Sequence, residues 1–195
     1  MIMDNENELP IAADDMRLGK LEFLAMNNPL RRWIQKHTEF RIFRNQLKRC
    51  FVDLDGKVIM DAGCGSGYST ELIVKEFHPS QVVAFDYMPE QINLARKRNL
   101  KVVFSIGDLT KIDSPDNTFD AVFIFGVLHH IPEWRKALSD ISRVLKPDGV
   151  LLVDEPRLRF NWKDFESGIK HTGFGILDVR KFFLTYFHAY LCRKI

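Results

Sequence analysis

The chain has 195 residues, 46% of them hydrophobic and 28% charged, with a formal net charge of +2. This balance supports one globular unit with a sizeable core and excludes collagen-like, fibrous or wholly disordered chains. No apolar run approaches the roughly 20 residues that span a bilayer, so no membrane partner is expected.

The first residues, among them Asp4, Glu6 and Glu8, are acidic and lack a basic-then-apolar leader pattern, which points to a cytoplasmic protein. Residues 1–15, with Pro10 and few large apolar side chains, read as a poorly ordered tail. Residues 16–195 then form a single domain, with a helical cap over 16–55 and an α/β core over 56–195. The cap is basic: from Arg17 to Arg49 nine Lys/Arg face only Glu22 and Glu39. That stretch would suit an anionic small molecule or an RNA, and it is equally the pattern of a solvated helix face. Trp33, Phe40, Phe43, Leu47, Cys50 and Phe51 recur at helical spacing, predicting a helix over 29–51.

Beyond Gly56 the period alternates. Short apolar runs at Val58–Met60, Val82–Phe85, Val102–Phe104, Ala121–Phe125 and Val150–Val153 are separated by helical patterns at Ser69–Phe77, Pro89–Arg98 and Glu133–Leu145. Continuous apolar runs between helices indicate a parallel sheet covered on both faces. After a helical stretch at Asn161–Thr172, runs at Ile176–Phe183 and Tyr186–Cys192 predict an antiparallel hairpin at the sheet edge. The three cysteines, Cys50, Cys64 and Cys192, are scattered, with no metal-ligand or disulfide spacing, so no metal is expected.

Asp61, Gly63, Gly65 and Gly67 follow the first run, and a helix follows them. Glycines permit positive φ and let a ligand lie on bare main chain. The spacing G-x-G-x-G, with Tyr68 where a dinucleotide fingerprint needs its third glycine, argues against a nicotinamide dinucleotide. No Gly-Lys-Ser/Thr ending is present, which excludes a P-loop.

With this loop come four further segments in order: Phe85-Asp86-Tyr87-Met88, Gly107-Asp108-Leu109, Phe119–Phe125 running on through Gly126 to Leu128-His129-His130-Ile131, and Leu145–Val150. Together, over about residues 57–155, they resemble the class I S-adenosylmethionine-dependent methyltransferases, in particular the small-molecule branch with the ubiquinone and menaquinone enzymes. The resemblance implies a Rossmann-like, doubly wound, mostly parallel seven-stranded sheet with an antiparallel edge hairpin and helices on both faces. It implies S-adenosylmethionine as cofactor and S-adenosylhomocysteine as product. Asp86 is then placed to accept hydrogen bonds from the ribose diol, with Tyr87 beside it, and Asp108 and Leu109 meet the adenine. Gly63, Gly65 and Gly67 leave room for methionine and ribose, Asp61 orients the loop and the cofactor's ammonium group, directly or through water, and Phe125 and Gly126 run beside the methionine.

Methyl transfer needs a general base only when the acceptor carries a proton that must leave early. His129 and His130 are the candidates. Arg41 or Arg44 is a candidate grip for the cofactor carboxylate. The leading expectation is methylation of a small-molecule acceptor, for which the basic cap suggests an anion. A tRNA or rRNA methyltransferase is an alternative not favoured by any aromatic-basic RNA motif. A non-enzymatic cofactor-binding module is a third reading. The oligomeric state is left open.

Overall fold

The computed structural model describes Gly19, residues 27–181 and residues 187–195. The expected tail over 1–15 lies outside the described residues, as do most of 16–26 and residues 182–186.

The cap begins where Asn28 accepts from Arg31 N at 2.8 Å and Pro29 opens the first turn, giving α1 (Pro29–Ile34). A π-helical turn (Gln35–Glu39) leads into α2 (Phe40–Arg49). Phe40, Phe43 and Leu47 are buried as the spacing predicts. Trp33 and Phe51 are not part of that stripe, at 59% and 95% exposed. The wider π turn rotates the residues before it out of phase with α2. Phe51 follows the end of the helix at φ 54° and points away.

Each glycine-bounded apolar run becomes a strand: β1 (Val58–Ala62), β2 (Gln81–Asp86), β3 (Val103–Ile106), β4 (Phe119–Phe125) and β5 (Leu145–Pro156). Between them lie α3 (Tyr68–Phe77), α4 (Pro89–Arg96) and α5 (Trp134–Val144). The chain ends in α6 (Trp162–His171), β6 (Phe174–Lys181) and β7 (Phe187–Lys194). The seven strands form one sheet in the order β3-β2-β1-β4-β5-β7-β6. The first five are parallel, and β7 pairs antiparallel with both β5 and β6.

One face of the sheet packs on Phe40, Phe43 and Ile73, the other on Leu138, Ile141 and Phe165. Both faces are therefore covered, and the strands read as unbroken apolar runs. Two boundaries differ from expectation. β5 starts at Leu145, which pairs with Phe119 before a register shift that lets residues 146–149 bulge out, with Asp148 at φ 62°. The terminal strands begin at Phe174 and Phe187, and β7 sits inside the sheet, leaving β6 as its edge.

Strand order reverses between β1 and β4. Loops leaving the carboxyl ends of adjacent strands diverge there, which opens a crevice. Among the described residues no helix is long and apolar enough to cross a membrane.

Candidate active site

The crevice at these strand ends is a cleft of about 1020 Å³, the open space at its mouth included. Its floor is the glycine loop. Gly63 N and Cys64 N both donate to Phe85 O, at 2.8 and 2.9 Å, so the loop is clamped to the end of β2. Gly63, Gly65 and Gly67 all have positive φ, at 78°, 52° and 76°. A Cβ on Gly65 would meet nothing within 4 Å and would stand in the cleft. A Cβ on Gly63 would lie 2.5 Å from Val127, and one on Gly67 would lie 3.0 Å from Ala95 on α4. Gly65 thus keeps space for a ligand, whereas Gly67 lets α4 approach and does not line the cleft.

Asp86 ends β2 and faces the cleft. Its Oδ2 accepts from Gly65 N at 2.8 Å and its Oδ1 from Met88 N at 2.9 Å. Burial raises its pKa, and these two N–H groups work against the rise. Asp108 also lines the cleft, with Oδ1 held by Thr110 N and Oγ1 at 2.7 and 2.9 Å. Tyr87, Leu109, Phe125 and Gly126 complete the set of sequence-named residues that the structure brings together there.

Asp61 lies elsewhere. It is fully buried behind the loop, where its Oδ2 accepts from Ser69 and Thr70 hydroxyls at 2.7 and 2.6 Å. Burial pushes it up to about 6, against the pull of those hydroxyls. Its contacts tie β1 to the first turn of α3, and it is absent from the cleft wall. Cys64 does line the cleft, but burial and the nearby Asp61 and Asp86 carboxylates raise its pKa, keeping it a thiol.

The two histidines separate. His130 lines both the cleft and the cavity adjoining it. His129 is turned to Glu155, with Nδ1 2.7 Å from Oε2, and lines an adjoining cavity with Trp134 and Asn161. Glu155 is fully buried and also accepts from Val127 N and Leu128 N at 3.0 and 2.7 Å. It thereby fixes the turn after β4 that carries both rings. Nothing local in the sequence singles out Glu155, which has no motif of its own.

The roof is α1 and the residues flanking it: Asn27, Arg31, Arg32 and Gln35 reach the cleft. Arg32 stands over the Tyr68 ring at 5.9 Å. Arg41 and Arg44, the arginines singled out by sequence, are not on the wall; Arg44 pairs with Glu76 at 3.2 Å on an exposed surface. Helical spacing alone could not show which arginines of a basic segment turn inward, because the π turn resets the phase after residue 34.

Comparison with known proteins agrees with this geometry. Residues 60–153 match the family model described as a methyltransferase domain. A fatty-acid O-methyltransferase of Mycolicibacterium smegmatis is 28% identical over 130 residues, 66% of this chain and 47% of that one. A trans-aconitate 2-methyltransferase of an Azoarcus species is 32% identical over 117 residues, 60% of this chain and 46% of that one. The chain therefore spans about half the length of these curated relatives. The crystal structure of an S-adenosylmethionine-dependent methyltransferase from Aquifex aeolicus superposes with a TM-score of 0.77 at 20% identity, covering 92% of this chain and all of that one. With the glycine loop, the strand-end acids and the 3-2-1-4-5-7-6 sheet, these matches identify residues 60–153 as a methyltransferase domain similar to those of S-adenosylmethionine-dependent methyltransferases.

Proposed function

We propose that the chain transfers the methyl group of S-adenosylmethionine to a small, anionic acceptor and releases S-adenosylhomocysteine. One observation carries this reading. Two acids, Asp86 and Asp108, stand on the cleft wall beyond the ends of β2 and β3, and the Arg32 guanidinium, which has no carboxylate partner among the described residues, reaches the same cleft from the roof.

The residues fit the cofactor. Asp86 presents a carboxylate where a ribose diol would donate, and Asp108 and Leu109 take the adenine. Gly63 and Gly65 present bare main chain to the middle of the molecule. Phe125 and Gly126 flank the methionine portion. Arg32, whose Nε is buried with no hydrogen-bond partner among the described residues, is suited to the cofactor carboxylate. When bound, the cofactor supplies an activated methyl group and a thioether leaving group. The chain's share is to hold the acceptor in line and keep water out. Apolar Val127 and Ile131 with the polar His130 form the wall available for the acceptor.

Asn27 and Gln35 on the roof offer hydrogen-bond donors to an anionic acceptor, while Arg31 is already matched by Glu39. The two relatives named above act on a fatty acid and on trans-aconitate, both carboxylic acids, which supports the same preference. A carboxylate oxygen already carries its lone pair and needs no base. For a protonated acceptor, His130 is placed to accept the proton, with His129 behind it at a ring separation of 3.9 Å. Free thiols at Cys50, Cys64 and Cys192 fit a reducing compartment such as the cytoplasm.

Calorimetry with S-adenosylhomocysteine tests the seat, and release of that product in the presence of carboxylic acids, phenols, amines or RNA tests the acceptor. The expected result is saturable, one-to-one binding and turnover with carboxylic acids. Absence of binding removes the reading. Turnover with RNA alone replaces the small-molecule acceptor.

A further inference from the structure

The roof is attached differently from the parts beneath it. α1 buries none of its residues, whereas α2 drives Phe40, Phe43 and Leu47 into the sheet. The contacts around α1 are polar: Asn27 Nδ2 donates to Gln91 Oε1 at 3.3 Å, and the Arg31 guanidinium meets both oxygens of Glu39 at 2.9 and 3.0 Å. The join to α2 is the π-helical turn, a geometry found often where helices flex at functional sites. A segment held by few buried apolar contacts is among the first to open.

The seam under Arg31 is short of partners. Asp154, at the end of β5, is 1% exposed, and neither of its carboxyl oxygens has a hydrogen-bond partner among the described residues. Glu39 is 2% exposed. Two buried carboxyls thus lie within electrostatic reach of one guanidinium, and only Glu39 is bonded to it.

We propose that Arg31, Glu39 and Asp154 form a proton-operated latch that keeps α1 closed over the cleft. The proposal rests on the cleft being the cofactor seat. With one proton held on the two carboxyls, the triad is neutral. Loss of that proton leaves a net negative charge where water cannot reach it, which opening would relieve. Burial is the main influence raising Asp154, followed by the carboxylate of Glu39; Arg31 opposes the rise and Glu155 adds to it. The cross-strand neighbours Phe125 and Ala189 carry no charge. Arg180, next along in register, is 3.3 Å from Asp178. Glu39 is likewise raised by burial and lowered by Arg31. The closed state therefore holds the proton more tightly than the open state. Closure is favoured at low pH and lost as pH rises through the titration of the latch.

The test is S-adenosylhomocysteine affinity and dissociation rate from pH 6 to 9.5, measured on the full chain and on Asp154→Asn. Wild-type affinity should fall, by at most about tenfold per pH unit, between the open-state titration of the latch and its higher closed-state titration, with faster dissociation. Asp154→Asn should lack that fall. Ionisation of Asp86 acts in the opposite sense, weakening binding at low pH, and is common to both proteins. If Asp154→Asn does not fold, Glu39→Gln carries the same expectation. A wild-type profile without a fall as pH rises, or a variant that keeps it, overturns the latch alone. No binding at any pH overturns the cofactor seat and the latch with it.

Discussion

The floor and the roof of the cleft are built on opposite principles. On the floor the polar groups are held by main chain: Gly63 and Cys64 are pinned to Phe85 O, and Asp86 is pinned by Gly65 N and Met88 N. On the roof the anchors are long side chains, Arg31 on Glu39 and Arg32 over Tyr68. Main-chain bonds at strand ends cost little entropy to hold, because the sheet has already ordered them. Arginine anchors must order several rotatable bonds for each contact. The floor is thus suited to holding a ligand in one fixed pose, and the roof to admitting and enclosing it.

Substitutions in the two regions should separate accordingly. Gly65→Leu forces a side chain into the cleft at φ 52° and should reduce S-adenosylhomocysteine affinity by more than about 100-fold, as read by calorimetry. Asp61→Asn should act on the fold rather than on ligand contacts. Burial raises Asp61 from 3.8 to about 6, so the folded state binds its proton more tightly than the unfolded state does. Wild-type stability then declines as pH rises through that window. The variant, which has no such titration, should gain on wild type by on the order of 3 kcal/mol between pH 3.5 and 7.5, measured by urea melts.

Asp86→Ala should weaken S-adenosylhomocysteine by about 2 kcal/mol, the scale of hydrogen bonds to a charged group. Arg32→Ala should cost about 1.5 kcal/mol, with Lys failing to restore the full affinity because it lacks the planar fork. Arg44→Ala, in an exposed pair with Glu76, should change stability by about 0.5 kcal/mol or less and leave binding intact. If Arg44→Ala impaired binding more than Arg32→Ala, the division between roof and outer surface drawn here would be wrong.

Much of the floor could be read directly from the chain. Eight of the ten residues named for the cofactor line the cleft: Gly63, Gly65, Asp86, Tyr87, Asp108, Leu109, Phe125 and Gly126. Each sits in or just beyond a strand end, so its place is set by the few residues beside it. Gly67 and Asp61 belong to the same motif, yet they serve packing and loop support, since a motif records spacing and not the direction in which a side chain turns. Glu155 escaped notice because its partners, Val127, Leu128 and His129, are more than 25 residues away in the chain.

Local pattern was enough to determine the alternation of strands and helices, the glycine loop and the acids at strand ends, because periodicity and positive φ are properties of short segments. Only the folded chain decided which arginines roof the cleft, that His129 turns to Glu155 while His130 lines the cleft, and that Asp154 is buried within electrostatic reach of the Arg31–Glu39 pair. Those outcomes depend on the phase of a π-helical turn and on charges brought together from residues 31, 39 and 154, distances in sequence over which no local propensity acts.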